Sequence, residues 1–151
     1  MDGSSVIVSA RRHWLGILAR APQGRLTAIC EAAGVDPAGQ WLRRAEVGSV
    51  MVRGRMGGTG APFNLGEITV TRAAGQLPTG QVGHGHVQGR DKPAAEWAAR
   101  VDALMQTDRA GWVRAAVLDP LEAGMAATRA ARAAKAAATQ VEFFTLVRGD
   151  G

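Results

Sequence analysis

The sequence has one cysteine, no tyrosine and three phenylalanines, and aromatic residues fill 5% of its 151 positions. A lone Cys30 excludes a disulfide framework or a cysteine metal cluster within the chain. Its helical spacing makes it a small buried hydrophobe rather than a nucleophile. Lysine is scarce: Lys92 and Lys135 are the two among 18 basic residues, and arginine supplies the rest. No apolar run reaches the roughly 18 residues of a membrane span. No basic segment leads into an apolar stretch at the start, so no secretory signal is expected and the cytoplasm is the default location. With few aromatics, and alanine where larger core side chains could stand, the core should be thin. Part of the apolar surface is then expected to be covered by something other than this chain.

What is present is ordinary for a globular protein: 46% hydrophobic and 21% charged residues, which argues against a wholly disordered chain. Domains commonly run about 100–200 residues, so residues 1–151 are expected to form a single domain. The formal charge is +5. Arginine-rich surfaces present planar forks to phosphates and carboxylates, so an anionic ligand or partner suits the composition. A coding bias towards arginine and alanine accounts for the same numbers.

Hydrophobic spacing divides the chain into helical (9–34), strand-rich (about 40–89), helical (91–139) and apolar-tail (141–148) segments. Ser9 is positioned to cap a helix carrying Trp14, Ile17, Leu18 and Ala21, which Pro22 stops. Leu26, Ile29, Cys30 and Ala33 predict a second, ending at Gly34. Period-two alternation follows around Val50 and Val52, Ile68 and Val70, and Val82 to Gln88, which reads as antiparallel strands. Asp36-Pro37 is a good helix start, yet Gln40 to Arg44 can equally form a strand that turns at Ala45–Gly48; strand is preferred. Asp91 is placed to cap a helix with Trp97, Val101, Leu104 and Met105. A short helix with Trp112, Val113, Ala116 and Val117 should follow, and Asp119-Pro120 opens an alanine-rich helix to about Thr139. On it Arg129, Arg132 and Lys135 share a broad face, solvated or anion-binding. The predicted class is α+β: a small antiparallel sheet in the middle, flanked by N- and C-terminal helices, with an extended C-terminal tail. In that tail Phe143, Phe144, Leu146 and Val147 suit a partner surface.

The densest candidate for chemistry is the glycine-rich run after Arg55. Gly57, Gly58, Thr59 and Gly60 can adopt positive φ and aim several N–H groups at one anion. The terminal Gly-Lys-Ser/Thr of a P-loop is missing and no helix opens here, so a long hairpin loop competes with a phosphate cradle. Arg72, and Arg90 with Lys92 beside the Asp91 cap, are further anion-contact candidates. His84 and His86 can share one face of a strand, but without an evident third ligand no metal site is expected. No serine–histidine–acid order or cysteine–histidine pair offers a nucleophile, so no catalytic residue is assigned.

At these residues the sequence resembles the PhnG family, a subunit of the bacterial carbon–phosphorus lyase core complex. The resemblance rests on Arg55-Met56-Gly57-Gly58-Thr59-Gly60 with Phe63 and Gly66, on Thr69-Val70-Thr71-Arg72, and on Val87-Gln88-Gly89-Arg90-Asp91-Lys92. It continues through Asp102-Ala103-Leu104-Met105-Gln106 and Phe143-Phe144-Thr145-Leu146-Val147-Arg148-Gly149, with His13-Trp14 near the start. The motifs run end to end in one order. The resemblance implies an accessory subunit of an α-D-ribose 1-methylphosphonate 5-triphosphate synthase, working with PhnI and joined by PhnH and PhnJ. It implies that the complex lets a phosphonate displace adenine from ATP, its co-substrate, giving α-D-ribose 1-alkylphosphonate 5-triphosphate. The chain alone is then expected to be inactive, to bind no cofactor itself and to meet neither membrane nor nucleic acid. The rival reading is a small basic nucleic-acid-binding domain, which would want exposed aromatics on its strands. A stand-alone nucleotide or phosphate-ester enzyme using the glycine run is the third.

Overall fold

The computed structural model describes residues 3–147, with side chains up to Thr139. Helix α1 covers Gly3–Ala19 and helix α2 Arg25–Ala32. Three strands follow: β1 over Gln40–Arg55, β2 over Pro62–Gln76 and β3 over Val82–Gln88. Helix α3 spans Lys92–Leu104, the single turn α4 Ala110–Val113, and α5 Asp119–Val147. The strands form one antiparallel sheet in the order β1-β2-β3, with helices before and after it along the chain, so the α+β class is observed.

Two compact units arise, one up to Leu121 and one from Glu122 onward. In the first, Trp14, Ile17 and Leu18 of α1 and Leu26, Ile29 and Cys30 of α2 are buried, as their spacing predicts. Asp91 caps α3, its carboxylate accepting the Ala94 N–H at 3.1 Å. The other carboxylate oxygen accepts the Gly24 N–H at 2.9 Å, tying the start of α2 to the start of α3. The second unit is helical, and its described residues beyond Met125 are exposed, Arg129, Arg132 and Lys135 among them.

The thin core has a specific origin. Gly83 and Gly85 of β3 are buried against α3, where Ala94, Ala95, Ala98 and Ala99 are also buried. A Cβ at Gly83 would run into the Ala99 carbonyl oxygen, and one at Gly85 into that of Ala95. Helix and strand therefore approach backbone to backbone, and small residues on both sides take the place that aromatics fill in thicker cores.

Several boundaries depart from the sequence expectations. Helix α1 starts at Gly3, which puts Ser9 inside the helix rather than at its cap. Residues 40–55 form one long strand with irregular register between Trp41 and Glu46, so no turn occurs at Ala45–Gly48. Asp36-Pro37 opens no helix; the Asp36 carboxylate accepts the Ala38 N–H at 2.9 Å in a local turn. Before α5, a wide helical turn covers Arg114–Leu118. Pro120 has no N–H to give and its ring crowds the carbonyl four residues back, which a wider turn relieves. The backbone of α5 remains helical to Val147, past the expected end near Thr139. The side chains of Phe143, Phe144, Leu146 and Val147 lie outside the described residues.

Candidate functional site

The sheet has one covered face and one open face. Thr71, Ala73, Gly83, Gly85 and Val87 are buried on the side of α3. Strand alternation turns Val70, Arg72, Ala74, His84 and His86 to the opposite, outer side. Thr71 pins the end of this arrangement, its hydroxyl donating to the Gly89 carbonyl at 2.7 Å.

The outer face is polar at one end. Glu46, paired with Arg72 across the β1–β2 ladder, accepts from Arg72 Nε at 2.8 Å and from Arg43 Nη1 at 2.5 Å. Those two hydrogen bonds, Arg43 first, hold the Glu46 carboxyl below its ordinary range. His86 stands opposite Arg72 on the other side of β2. Burial first, then the neighbouring His84 and Arg72 charges, keeps the His86 imidazolium disfavoured. Leu42, Arg43, Arg72, Ala74, His84 and His86 border a depression of about 380 Å³. Arg43 and Arg72 share the one carboxylate of Glu46, which leaves a surplus positive charge beside the two imidazoles and suits the depression to an anion. Among the described residues no group of three His, Cys, Asp or Glu is gathered closely enough to hold a metal ion.

Past Gly48 and Val70 the character changes. Strand β3 ends at Gln88, opposite Val70, while β1 and β2 run on as a two-stranded arm to Arg55 and Pro62. Seven residues of β1 and eight of β2 project it roughly 25 Å. Val50 pairs with Ile68, and Val52 sits on the same face two residues on. Phe63 and Leu65 join them, because a Cβ at Gly54 would meet the Leu65 side chain at 2.8 Å and the Phe63 ring at 3.5 Å. The other face carries Ser49, Met51, Arg53, Glu67 and Thr69 by alternation. Among the described residues eleven large hydrophobic side chains are exposed, and seven belong to this hairpin: Leu42, Val50, Met51, Met56, Phe63, Leu65 and Ile68.

The anion-contact candidates do not gather at one point. Arg55 and Gly57 to Gly60 form the tip of the arm, ten residues along β2 from Arg72, or roughly 33 Å. Gly57 and Gly58 adopt φ of 59° and 81°, whereas Gly60 has no positive φ. Instead a Cβ at Gly60 would lie 2.7 Å from the Met56 carbonyl oxygen. That same oxygen accepts the N–H groups of Thr59 and Gly60, so both are consumed in closing the turn. Arg55 Nη1 donates to the Gly60 carbonyl at 3.3 Å. Arg90 and Lys92 are exposed where β3 gives way to α3. His84 and His86 share the outer face, as the spacing predicts.

Sequence reasoning missed Arg43 and Glu46, since nothing in the order Arg43-Arg44-Ala45-Glu46 says that a carboxylate will bridge to Arg72. It also missed that the alternating apolar residues of β1 and β2 face outward. Elsewhere, burial and the Glu31 charge push the Cys30 thiol up to about 12, which leaves no thiolate nucleophile at neutral pH. No helix among the described residues is long and apolar enough to cross a membrane.

Comparison with known proteins adds a lineage to this geometry. Residues 9–149 match the family model described as phosphonate metabolism protein PhnG. The chain is 44% identical, over 143 residues, to the alpha-D-ribose 1-methylphosphonate 5-triphosphate synthase subunit PhnG of Rhizobium meliloti strain 1021; the match covers 95% of this chain and 92% of that relative.

Proposed function

Because the chain belongs to the PhnG family of phosphonate metabolism proteins, we propose that it is a non-catalytic subunit of a synthase working on phosphonates. In this reading it assembles with PhnI, PhnH and PhnJ and supports the displacement of adenine from ATP by a phosphonate. A phosphonate oxygen forms the new bond to the ribose C1 as the C1–N9 bond breaks. Adenine leaves, and the product is an α-D-ribose 1-alkylphosphonate 5-triphosphate. The assembly works in the cytoplasm, where ATP is at hand.

The 44% identity to a relative named as a synthase subunit, over 95% of this chain, carries this conclusion. The described residues agree with it. Cys30 is protonated and buried, and a large apolar surface is left uncovered. We place Phe143, Phe144, Leu146 and Val147 at a contact with PhnI as well, and the cationic residues Arg72, Arg90 and Lys92 at the bound phosphates.

The test is an omission assay that follows adenine release from ATP and methylphosphonate. The four subunits together should turn over, the chain alone should not, and leaving this chain out should abolish turnover. Adenine release by the purified chain alone would refute the non-catalytic role. Full activity of the remaining three subunits would refute the role altogether, and tight, salt-sensitive RNA binding by the chain would support the nucleic-acid alternative.

A further inference from the structure

We infer that the outer face of the sheet binds one doubly charged tetrahedral oxyanion, seated over Ala74 between Arg43, Arg72 and His84. The ligand is the phosphonyl group of a phosphonate or the terminal phosphoryl group of a triphosphate. The site deepens the reading above, on which it rests for the source of that group. Two rows of paired residues cross the three strands here: Arg43, Ala74 and His84 in one, Glu46, Arg72 and His86 in the next. Alternation alone would put Arg43 and Glu46 on opposite faces, because an odd number of steps separates them. The register shift between them sets one extra residue of β1 against β2, and this bulge brings both side chains to the outer face. Ala74, at the centre of its row, has only a methyl group, so the longer side chains around it wall the depression of about 380 Å³. Neighbouring strands lie about 4.8 Å apart, so the backbones at Arg43 and His84 are about 10 Å from each other across that floor. Leu42 borders the same depression and offers an apolar contact to a substituent on the oxyanion.

Charge and donors select the ligand. Arg43 Nη1 and Arg72 Nε donate to the same Glu46 oxygen, Oε1. The shared bond holds the two guanidiniums side by side yet answers only one of their charges. Arg72 spends Nε there, which leaves its terminal nitrogens for a two-point grip on a tetrahedral anion. His84 and His86 need carry no charge, since a neutral imidazole still has one N–H to donate. A carboxylate ligand would leave part of these donors unmatched, whereas a phosphonate or phosphate dianion has an oxygen for each wall. Glu46 orients both arginines and, being negative itself, opposes the ligand.

The experiment titrates the full chain, slightly above neutral pH, with methylphosphonate, inorganic phosphate and ATP, following the imidazole signals of His84 and His86 by NMR. One or more of the three should bind with a Kd below about 1 mM and move both signals, and the tightest identifies the source of the oxyanion. Bound His86 should titrate higher than free His86, because a neighbouring anion favours its protonated form. Arg72→Gln and Ala74→Leu should each weaken binding at least about 10-fold, the first by removing donors and the second by filling the floor. Glu46→Gln should tighten it about 3-fold or more, because the like charge goes while an acceptor for the arginines stays. A gain of affinity cannot come from a damaged fold. Lys135→Gln, which removes an exposed cation on α5, should change nothing. Unmoved imidazole signals with all three anions, equal losses in Lys135→Gln and Arg72→Gln, or no gain in Glu46→Gln overturns the site and leaves the subunit reading to the omission assay. An anion bound by a chain whose omission leaves adenine release intact would keep the site and overturn the subunit reading instead.

Discussion

The carboxylate of Asp102 on α3 accepts the indole N–H of Trp14 on α1 at 2.9 Å, joining residues 88 positions apart. The same carboxylate accepts both Nε and Nη2 of Arg11, at 3.1 and 2.7 Å, and the backbone N–H of His84 at 2.9 Å. A fully buried acid thus fastens α1, α3 and β3 together, and its bonds to Arg11 hold that guanidinium protonated even more firmly than usual.

Asp102→Ala should therefore be among the most destabilising single substitutions, because it strands the Trp14 and His84 donors in a dry site. Removing one partner of such a cluster costs about 3–5 kcal/mol. In a chain of this length that lowers the melting temperature by on the order of 10 °C. Asp102→Asn, which keeps an acceptor for the indole but turns an amide toward Arg11, should fall between. Calorimetry on the three proteins checks the order; an Asp102→Ala variant that melts with the unmodified chain would show the cluster to be inert.

Gly85→Ala tests the close approach of sheet and helix. Glycine in a strand normally costs stability relative to alanine, by about 0.5–1 kcal/mol. Here the added methyl would meet the Ala95 carbonyl, so the sign reverses and a loss of about 1–3 kcal/mol is expected. Gly48→Ala is the counterpart: no atom lies within 4 Å and φ is not positive, so it should be neutral or mildly stabilising. Chemical denaturation midpoints of the two variants should move in opposite directions or differ by the cost of the clash.

His86 should titrate below the ordinary value of 6.5, since burial, His84 and Arg72 all disfavour its protonated form. Its folded-state affinity for protons is then weaker than that of the unfolded chain. Stability is unaffected above pH 6.5 and falls as the pH drops below it, where the unfolded chain takes up the proton first. Glu46 acts in the same direction at lower pH: its depressed titration contributes stability above the ordinary carboxylate value of 4.5 that is lost on acidification. Imidazole proton shifts followed against pH should place His86 below 6.5, and Arg72→Gln should raise it. A His86 that titrates at or above 6.5 would contradict the electrostatic picture of the outer face.

The cationic residues separate by what each substitution does in the assembled complex. Where Arg72, Arg90 or Lys92 holds phosphate oxygens, its change to Gln should raise the apparent requirement for ATP or phosphonate about 10-fold, with assembly intact. Arg55→Gln, at the far tip of the arm, should instead lower complex yield without altering the kinetics of what assembles. Unchanged kinetics for all three of the first group would remove them from the substrate site.

Much of the framework was legible residue by residue. Trp14, Ile17 and Leu18 marked a buried stripe, Asp91 marked a cap, and Gly34 marked a helix end with φ of 67°. The alternation at Val50–Val52 and Ile68–Val70 marked strands. What it could not mark was which face lay open, because alternation distinguishes two sides without saying where α3 will sit. Ser9 misled because a good cap residue carries no notice that the helix already began at Gly3. Glu46 and Arg43 escaped for a similar reason: their meeting with Arg72 depends on the β1–β2 register, which the irregular pairing between Trp41 and Glu46 sets. Gly83 and Gly85 looked like ordinary strand glycines, since close approach to a helix leaves no local signature.

Whether this chain is a subunit that binds PhnI is tested most directly by native mass spectrometry of the purified chain mixed with purified PhnI at low micromolar concentration. A stoichiometric complex that survives dilution to nanomolar concentration is the expected result. Two unassociated proteins at every concentration would contradict it.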